Sequence, residues 1–199
     1  KYGYQVVSQC YQNYQRPFKE FDRKNPVNFY GITKSKGEEQ IINYTKKFFI
    51  FRISWVYGQY GNNFPKTIIK LIKKQNELNV VNDQVGVPTS TKFIVDSVKN
   101  ILKKKKINEA DFSIYNCTPK GQCTWHDIAS KILEKYKNEE DCICRKIIPV
   151  SSDEFITIAE RPSYSLLDNG LIVKKFNLKI NDWSFYLDEF LHELKFKNF

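Results

Sequence analysis

Two kinds of apolar run alternate along this chain. Residues 48–57 (FFIFRISWVY) are almost continuously apolar or aromatic, as expected of a strand buried on both faces of a parallel sheet. Elsewhere the period is helical. Phe64, Ile68, Leu71 and Ile72 predict an amphipathic helix over 64–77, and Ile94, Val98, Ile101 and Leu102 a second, closed by the lysines 103–106. Ile128, Ile132, Leu133 and Tyr136 predict a third, and Trp183, Leu187, Phe190, Leu191 and Leu194 a last. Thr124, followed three residues later by Asp127, caps the third at its N-terminus. Shorter strand-like runs occupy 5–11, 79–82, 113–117 and 142–150. A polar loop over 12–29, broken by Pro17 and Pro26, leads into a helix from about Tyr30 to Phe48 that carries charge and small residues. Gly58 and Gly61 turn the chain after the apolar strand, and 83–90 and 151–164 read as loops. Strands alternating with helices, without repeats, predict an α/β chain with a parallel sheet.

Composition narrows the class. With 41% hydrophobic, 15% aromatic and 27% charged residues in 199, disordered, collagenous and coiled-coil chains are excluded. No run approaches the roughly 18 apolar residues of a membrane span, and no charged-then-apolar leader opens the chain, so a cytoplasmic protein without a membrane partner is expected. The net charge of +10 invites a nucleic-acid reading. Only 5 of the 32 basic residues are Arg, however, and the 27 Lys are scattered. Arg is the usual reader of base edges, so the charge reads as a solvated surface and no nucleic-acid partner is expected. Five cysteines (Cys10, Cys117, Cys123, Cys142, Cys144) form no C-x-x-C, and Cys117, Cys123 and His126 lack a fourth ligand for zinc. Reduced thiols are expected.

Candidate chemistry begins with Tyr30 and Lys34, four apart at the start of a helix and so on one face. A phenol is a weak acid near neutrality unless a neighbouring cation stabilises its phenolate, and a lysine one turn away supplies that cation. Such a pair can protonate a carbonyl oxygen while hydride reaches its carbon. A chain this rich in Tyr and Lys carries about one or two such spacings by chance, so a surface Tyr stacked on a helix Lys stays open on spacing alone.

The surrounding residues decide further. Asn25-Pro26-Val27-Asn28-Phe29-Tyr30-Gly31-Ile32-Thr33-Lys34-Ser35-Lys36-Gly37-Glu38 resembles the NPxNxYGxTKxxGE segment of the extended short-chain dehydrogenase/reductases, and more narrowly their dTDP-4-dehydrorhamnose reductase branch. The resemblance continues through 51–58 (FRISWVYG), 61–67 (GNNFPKT), 81–89 (VNDQVGVPT), 124–127 (TWHD), 161–168 (RPSYSLLD) and Asp182-Trp183. It implies a Rossmann-type NAD(P)-binding parallel sheet with a smaller α/β substrate-binding lobe. Residues 1–60 would finish the cofactor domain. Residues 61–199 would form mainly the substrate lobe, with some return to the sheet. It further implies reduction of the 4-keto group of dTDP-4-dehydro-L-rhamnose to dTDP-L-rhamnose with NADPH or NADH. Tyr30 would be the proton donor, Lys34 would lower its pKa and hold the nicotinamide ribose, and Ser54 would join them against the cofactor. Trp55 would lie against the sugar nucleotide, with core packing as its other reading. Asn63, Gln84 and Arg161 are candidate substrate contacts, Arg161 also a candidate loop anchor. The resemblance leaves room for a homodimer and for magnesium, for which no ligand cluster is evident.

Two departures stand beside these matches. Gln9 falls where the branch carries a threonine that orients the carbonyl, and Cys10 where it carries an aspartate, which leaves reduced activity open. The eight glycines form no G-x-G-x-x-G, so the dinucleotide-binding strands are expected upstream of Lys1. Another sugar-nucleotide epimerase or dehydratase is an alternative. So is a non-catalytic binding subunit resembling the regulatory subunit of methionine adenosyltransferase, since fold does not fix function.

Overall fold

The computed structural model describes residues 3–4, 16–103, 107–154 and 161–196. In chain order the first elements are β1 (Gly3–Tyr4), α1 (Phe29–Tyr44), β2 (Phe49–Arg52) and β3 (Val56–Tyr57), followed by α2 (Phe64–Ile72) and β4 (Glu77–Val81). Next come β5 (Val85–Gly86), β6 (Thr89–Ser90), α3 (Thr91–Leu102), a short 3-10 turn (Glu109–Asp111) and β7 (Ser113–Asn116). The chain continues through β8 (Cys123–Thr124), α4 (Trp125–Tyr136), β9 (Lys146–Val150), α5 (Gly170–Phe176) and α6 (Trp183–Phe196).

β1, β2 and β7 form a parallel three-stranded sheet in that order, Phe51 lying between Gly3 and Tyr115. Alternation along β2 sends its side chains to opposite faces. Phe49 and Phe51 join Tyr115, Ile101 of α3, and Ile172 and Phe176 of α5 in one core. Ile50 and Arg52 take the other face, where Arg52 meets Glu38 of α1. The sheet is therefore covered on both sides, which is why β2 reads as a continuous apolar run. A second core lies around the parallel pair β4–β9. It gathers Ile68, Ile69 and Ile72 of α2, Ile128 and Ile132 of α4, and Leu187, Leu191 and Leu194 of α6. Parallel pairing and helix-covered strands make the chain α/β, as its alternating pattern predicts.

Several boundaries differ from the expected ones. The run 48–57 breaks after Arg52, and β3 pairs with β6 instead of continuing the sheet. α1 stops at Tyr44, where Thr45 turns extended. α2 stops at Ile72 because polar residues follow before β4 begins at Glu77. The strand expected over 142–150 begins only at Lys146. The amides of Ile143 and Cys144 are held instead by the Ile72 carbonyl, at 3.1 and 3.0 Å. The loop expected over 83–90 contains β5 and β6. α5 was not predicted; it is seven residues long and ends at Asn177 in the left-handed region (φ 51°), a helix stop that asparagine tolerates. The strand expected over 5–11 lies outside the described residues.

Candidate functional site

α1 starts where Asn28 caps it, its Oδ1 accepting the Gly31 N–H at 2.8 Å. That cap sets Tyr30 in the first turn and Lys34 one turn on. The Lys34 Nζ lies 5.1 Å from the centre of the Tyr30 ring, a cation over an aromatic face. Tyr30 is 46% exposed. Partial burial pushes its phenol above the ordinary value, the opposite of the lowering expected from Lys34, which lies over the ring.

The same helix is fastened from below by charge. Glu38, fully buried, stands one further turn from Lys34 and accepts a two-pronged bond from Arg52, Nε to Oε1 at 2.9 Å and Nη2 to Oε2 at 2.8 Å. The Arg52 Nη1 donates to the Glu20 carbonyl at 2.8 Å, and Lys24 Nζ stands 3.6 Å from Glu38 Oε2. The Glu20 Oε1 accepts the Asn116 N–H at 2.9 Å, while Asn116 Nδ2 donates to the carbonyls of Phe18 and Asp168. Burial raises the Glu20 carboxyl above its ordinary value, against the opposing pull of the Asn116 N–H. This network ties the helix of Tyr30 and Lys34 to the end of β2, two and three residues before Ser54 and Trp55. It escaped the sequence reading, although Arg52 inside an apolar run was a signal, since a buried charge requires a buried partner.

Beyond β2 the candidate residues gather around an aromatic stack. Ser54 Oγ donates to the Val87 carbonyl at 2.8 Å, and the Thr89 N–H donates to the Trp55 carbonyl at 3.2 Å. Trp55 has φ 45°, a conformation that costs a residue with a Cβ about 1–2 kcal/mol and persists only where neighbours impose it. Its ring stacks on Trp125, centres 3.8 Å apart and planes 17° apart. The Trp125 Nε1 donates to Gln84 Oε1 at 3.0 Å. Gly86 lies against Trp55, and a Cβ there would come within 2.7 Å of the indole.

The remaining candidates stand differently. Asn63 uses both ends of its amide locally. Its Oδ1 accepts the Lys66 N–H at 3.2 Å as the α2 cap, and its Nδ2 donates to the Gly58 carbonyl at 2.7 Å. Arg161 is exposed on a segment whose Ser163 and Ser165 pair with Val85 at 2.7 and 2.8 Å, which brings that segment alongside the Gln84 loop. Gln9 and Cys10 lie outside the described residues. Cys117, Cys123, Cys142 and Cys144 are buried free thiols, that of Cys117 pushed up to about 12 by burial. Among the described residues no three His, Cys, Asp or Glu side chains cluster as a metal site, and no helix is long and apolar enough to cross a membrane.

Residues 12–196 match the RmlD substrate binding domain family. The chain is 34% identical to a dTDP-4-dehydrorhamnose reductase of Escherichia coli K12 over 92% of its own length and 61% of that protein's. It is also similar to two solved structures. One is a Bacillus anthracis dTDP-4-dehydrorhamnose reductase in complex with NADP (TM-score 0.83, 32% identity, 96% of this chain and 65% of that one). The other is a Clostridium acetobutylicum dTDP-4-dehydrorhamnose reductase (TM-score 0.83, 34% identity, 96% and 63%). With both it shares a Rossmann-type α/β fold. The chain spans about three-fifths of the length of the curated relatives it matches.

Proposed function

The chain belongs to the RmlD substrate binding domain family, and from that premise we propose that the protein reduces the 4-keto group of dTDP-4-dehydro-L-rhamnose to dTDP-L-rhamnose. The observation that carries this reading is the Tyr30–Lys34 pair. A partly exposed phenol and an ammonium share one helix face, in a chain 34% identical to a relative named for that reaction. NADPH or NADH, when bound, supplies the hydride. Tyr30 and Lys34 fit its nicotinamide-ribose end by their chemistry, a partly exposed phenol and an ammonium on one helix face. We place the seat of its diphosphate outside these residues, because their glycines form no G-x-G-x-x-G turn.

In this reading the Tyr30 O–H bond breaks as the proton passes to the carbonyl oxygen, which becomes the product hydroxyl. The phenolate left behind is stabilised by Lys34 and regains its proton from solvent. A phenol is protonated near neutrality before the reaction, so the cation matters for the product side of the transfer. Ser54 steadies the strand end beside the cofactor, and Trp55 covers the sugar. Asn63 and Gln84 shape the walls through the α2 cap and the loop around β5, and Arg161 approaches the diphosphate of the substrate. Residues 1–60 would finish the cofactor domain, with 61–199 forming mainly the substrate lobe and returning to the sheet through β7, α3 and α5. We place the reaction in the cytoplasm, with a homodimer as the assembly to test by light scattering.

The test is a coupled assay on the full-length protein with NADPH, then NADH, and dTDP-4-dehydro-L-rhamnose, the product identified by mass and stereochemistry. Cofactor oxidation matched by dTDP-L-rhamnose supports the reading. Binding of the nucleotide sugar without oxidation of either cofactor contradicts it.

A further inference from the structure

Among the described candidates Trp55 is the one whose backbone is held in a disfavoured region, and its neighbours are arranged to keep it there. Its carbonyl is taken by the Thr89 N–H, one side of its ring rests on Gly86, and the ring is stacked on Trp125. Trp125 is in turn fixed from three directions. Its N–H is bound to Gln84 Oε1 at 3.0 Å. Phe64 packs against it at 4.7 Å and 59°. It is also the first residue of α4, whose start is set by Thr124 and Asp127 capping each other's backbone N–H groups. The Gln84 loop, the cap of α4 and the end of β2 are thus one assembly with the indole pair at its centre.

We propose that Trp125 is a positioning residue and Gln84 its latch. Together they set the angle at which Trp55 presents its ring to the sugar of a nucleotide-sugar substrate, an inference that rests on the reductase reading above. In this arrangement the Gln84 amide oxygen acts on Trp125 and not on the substrate. Aromatic pairs hold preferred mutual orientations, and loss of the partner ring lets Trp55 leave its strained conformation.

Two readouts test this on the full-length protein. Indoles stacked this closely couple their electronic transitions and give a paired positive and negative band in far-ultraviolet circular dichroism. The tryptophans of this chain are Trp55, Trp125 and Trp183, and substituting each in turn assigns the band. It is expected to vanish in Trp55→Phe and Trp125→Phe, to weaken in Gln84→Met and to persist in Trp183→Phe. Trp125→Phe and Gln84→Met are expected to raise KM for dTDP-4-dehydro-L-rhamnose about three- to tenfold, with KM for NADPH and the thermal midpoint near wild type. Loss of the band with unchanged KM overturns the proposal. So does a uniform loss of stability, kcat and both KM values, which marks a structural role alone. If Trp125→Phe does not fold, Gln84→Met decides the same question. A wild-type protein without turnover removes the reductase reading and this inference with it, a result distinct from an active wild type with indifferent variants.

Discussion

At the Tyr30 end of the proposed site the helix is joined to the sheet by charge. The buried residues of α1 are Gly31, Ser35 and Glu38, none of them a large apolar side chain, and α1 meets β2 through the Glu38–Arg52 fork. At the Trp55 end the parts are joined by ring stacking and backbone bonds, with Trp125, Phe64 and Gly86 supplying shape. The difference has an energetic consequence. A buried ion pair is lost all at once when one partner goes, because the survivor is left charged in a poor solvent. A stack loosens by degrees, since its attraction is a sum of small terms.

The sharpest way to break this contrast is at Arg52. Arg52→Met is expected to destabilise the protein by about 3–5 kcal/mol, and Glu38→Gln somewhat less. The Glu38→Leu/Arg52→Met double variant is expected to recover part of the loss, because no orphan charge remains. Urea midpoints check all three, and a double variant worse than both singles would argue that the fork is net stabilising. A smaller effect is expected from Gly86→Ala, where a Cβ has no room beside Trp55. About 1–3 kcal/mol is the cost of such overpacking, and the exciton band should shift with it. Thr124→Ala removes half of the α4 capping box and is expected to cost about 1 kcal/mol, read as a lowered thermal midpoint.

Glu20 offers a change of opposite sign. Its folded pKa is raised above the ordinary 4.5, first by burial. The native state then binds more protons than the unfolded one above that value, and stability falls as pH rises through it. Glu20→Gln keeps an oxygen for the Asn116 N–H and carries no charge. It is therefore expected to stabilise the protein at neutral pH and to lose that advantage as pH falls below 4.5. Urea unfolding at pH 7 and at pH 4 checks this, with an equal effect at both contradicting it.

Legibility divided along the same line as the two ends of the site. Helices α2, α3, α4 and α6 could be read because apolar residues recur on one face, and α4 also because its cap, Thr124 with Asp127, is a local signal. α1 gave a looser boundary, since its buried positions are glycine, serine and glutamate and carry no apolar period. The break after Arg52 was hidden inside an apolar run, where the left-handed Trp55 leaves no mark in composition. Tyr30 and Lys34 were legible as a spacing and more so as part of a family-like segment. Glu38 as the partner of Arg52 was not, because any acid in the chain could have answered that charge. Trp125 read as the opening of a helix and as part of the family-like segment 124–127; its stacking on Trp55, 70 positions earlier in the numbering, is set by tertiary packing alone.

The central claim is that Tyr30 delivers the proton while Lys34 stabilises the phenolate. Its most direct test is single-turnover reduction of dTDP-4-dehydro-L-rhamnose by the full-length protein and its Tyr30→Phe variant, with cofactor and substrate affinities measured alongside. A fall of about 10²- to 10⁴-fold in the rate, with both affinities and the urea midpoint near wild type, is the result predicted. Turnover by Tyr30→Phe within a few-fold of wild type would contradict the account and send the search for the proton donor elsewhere in the chain.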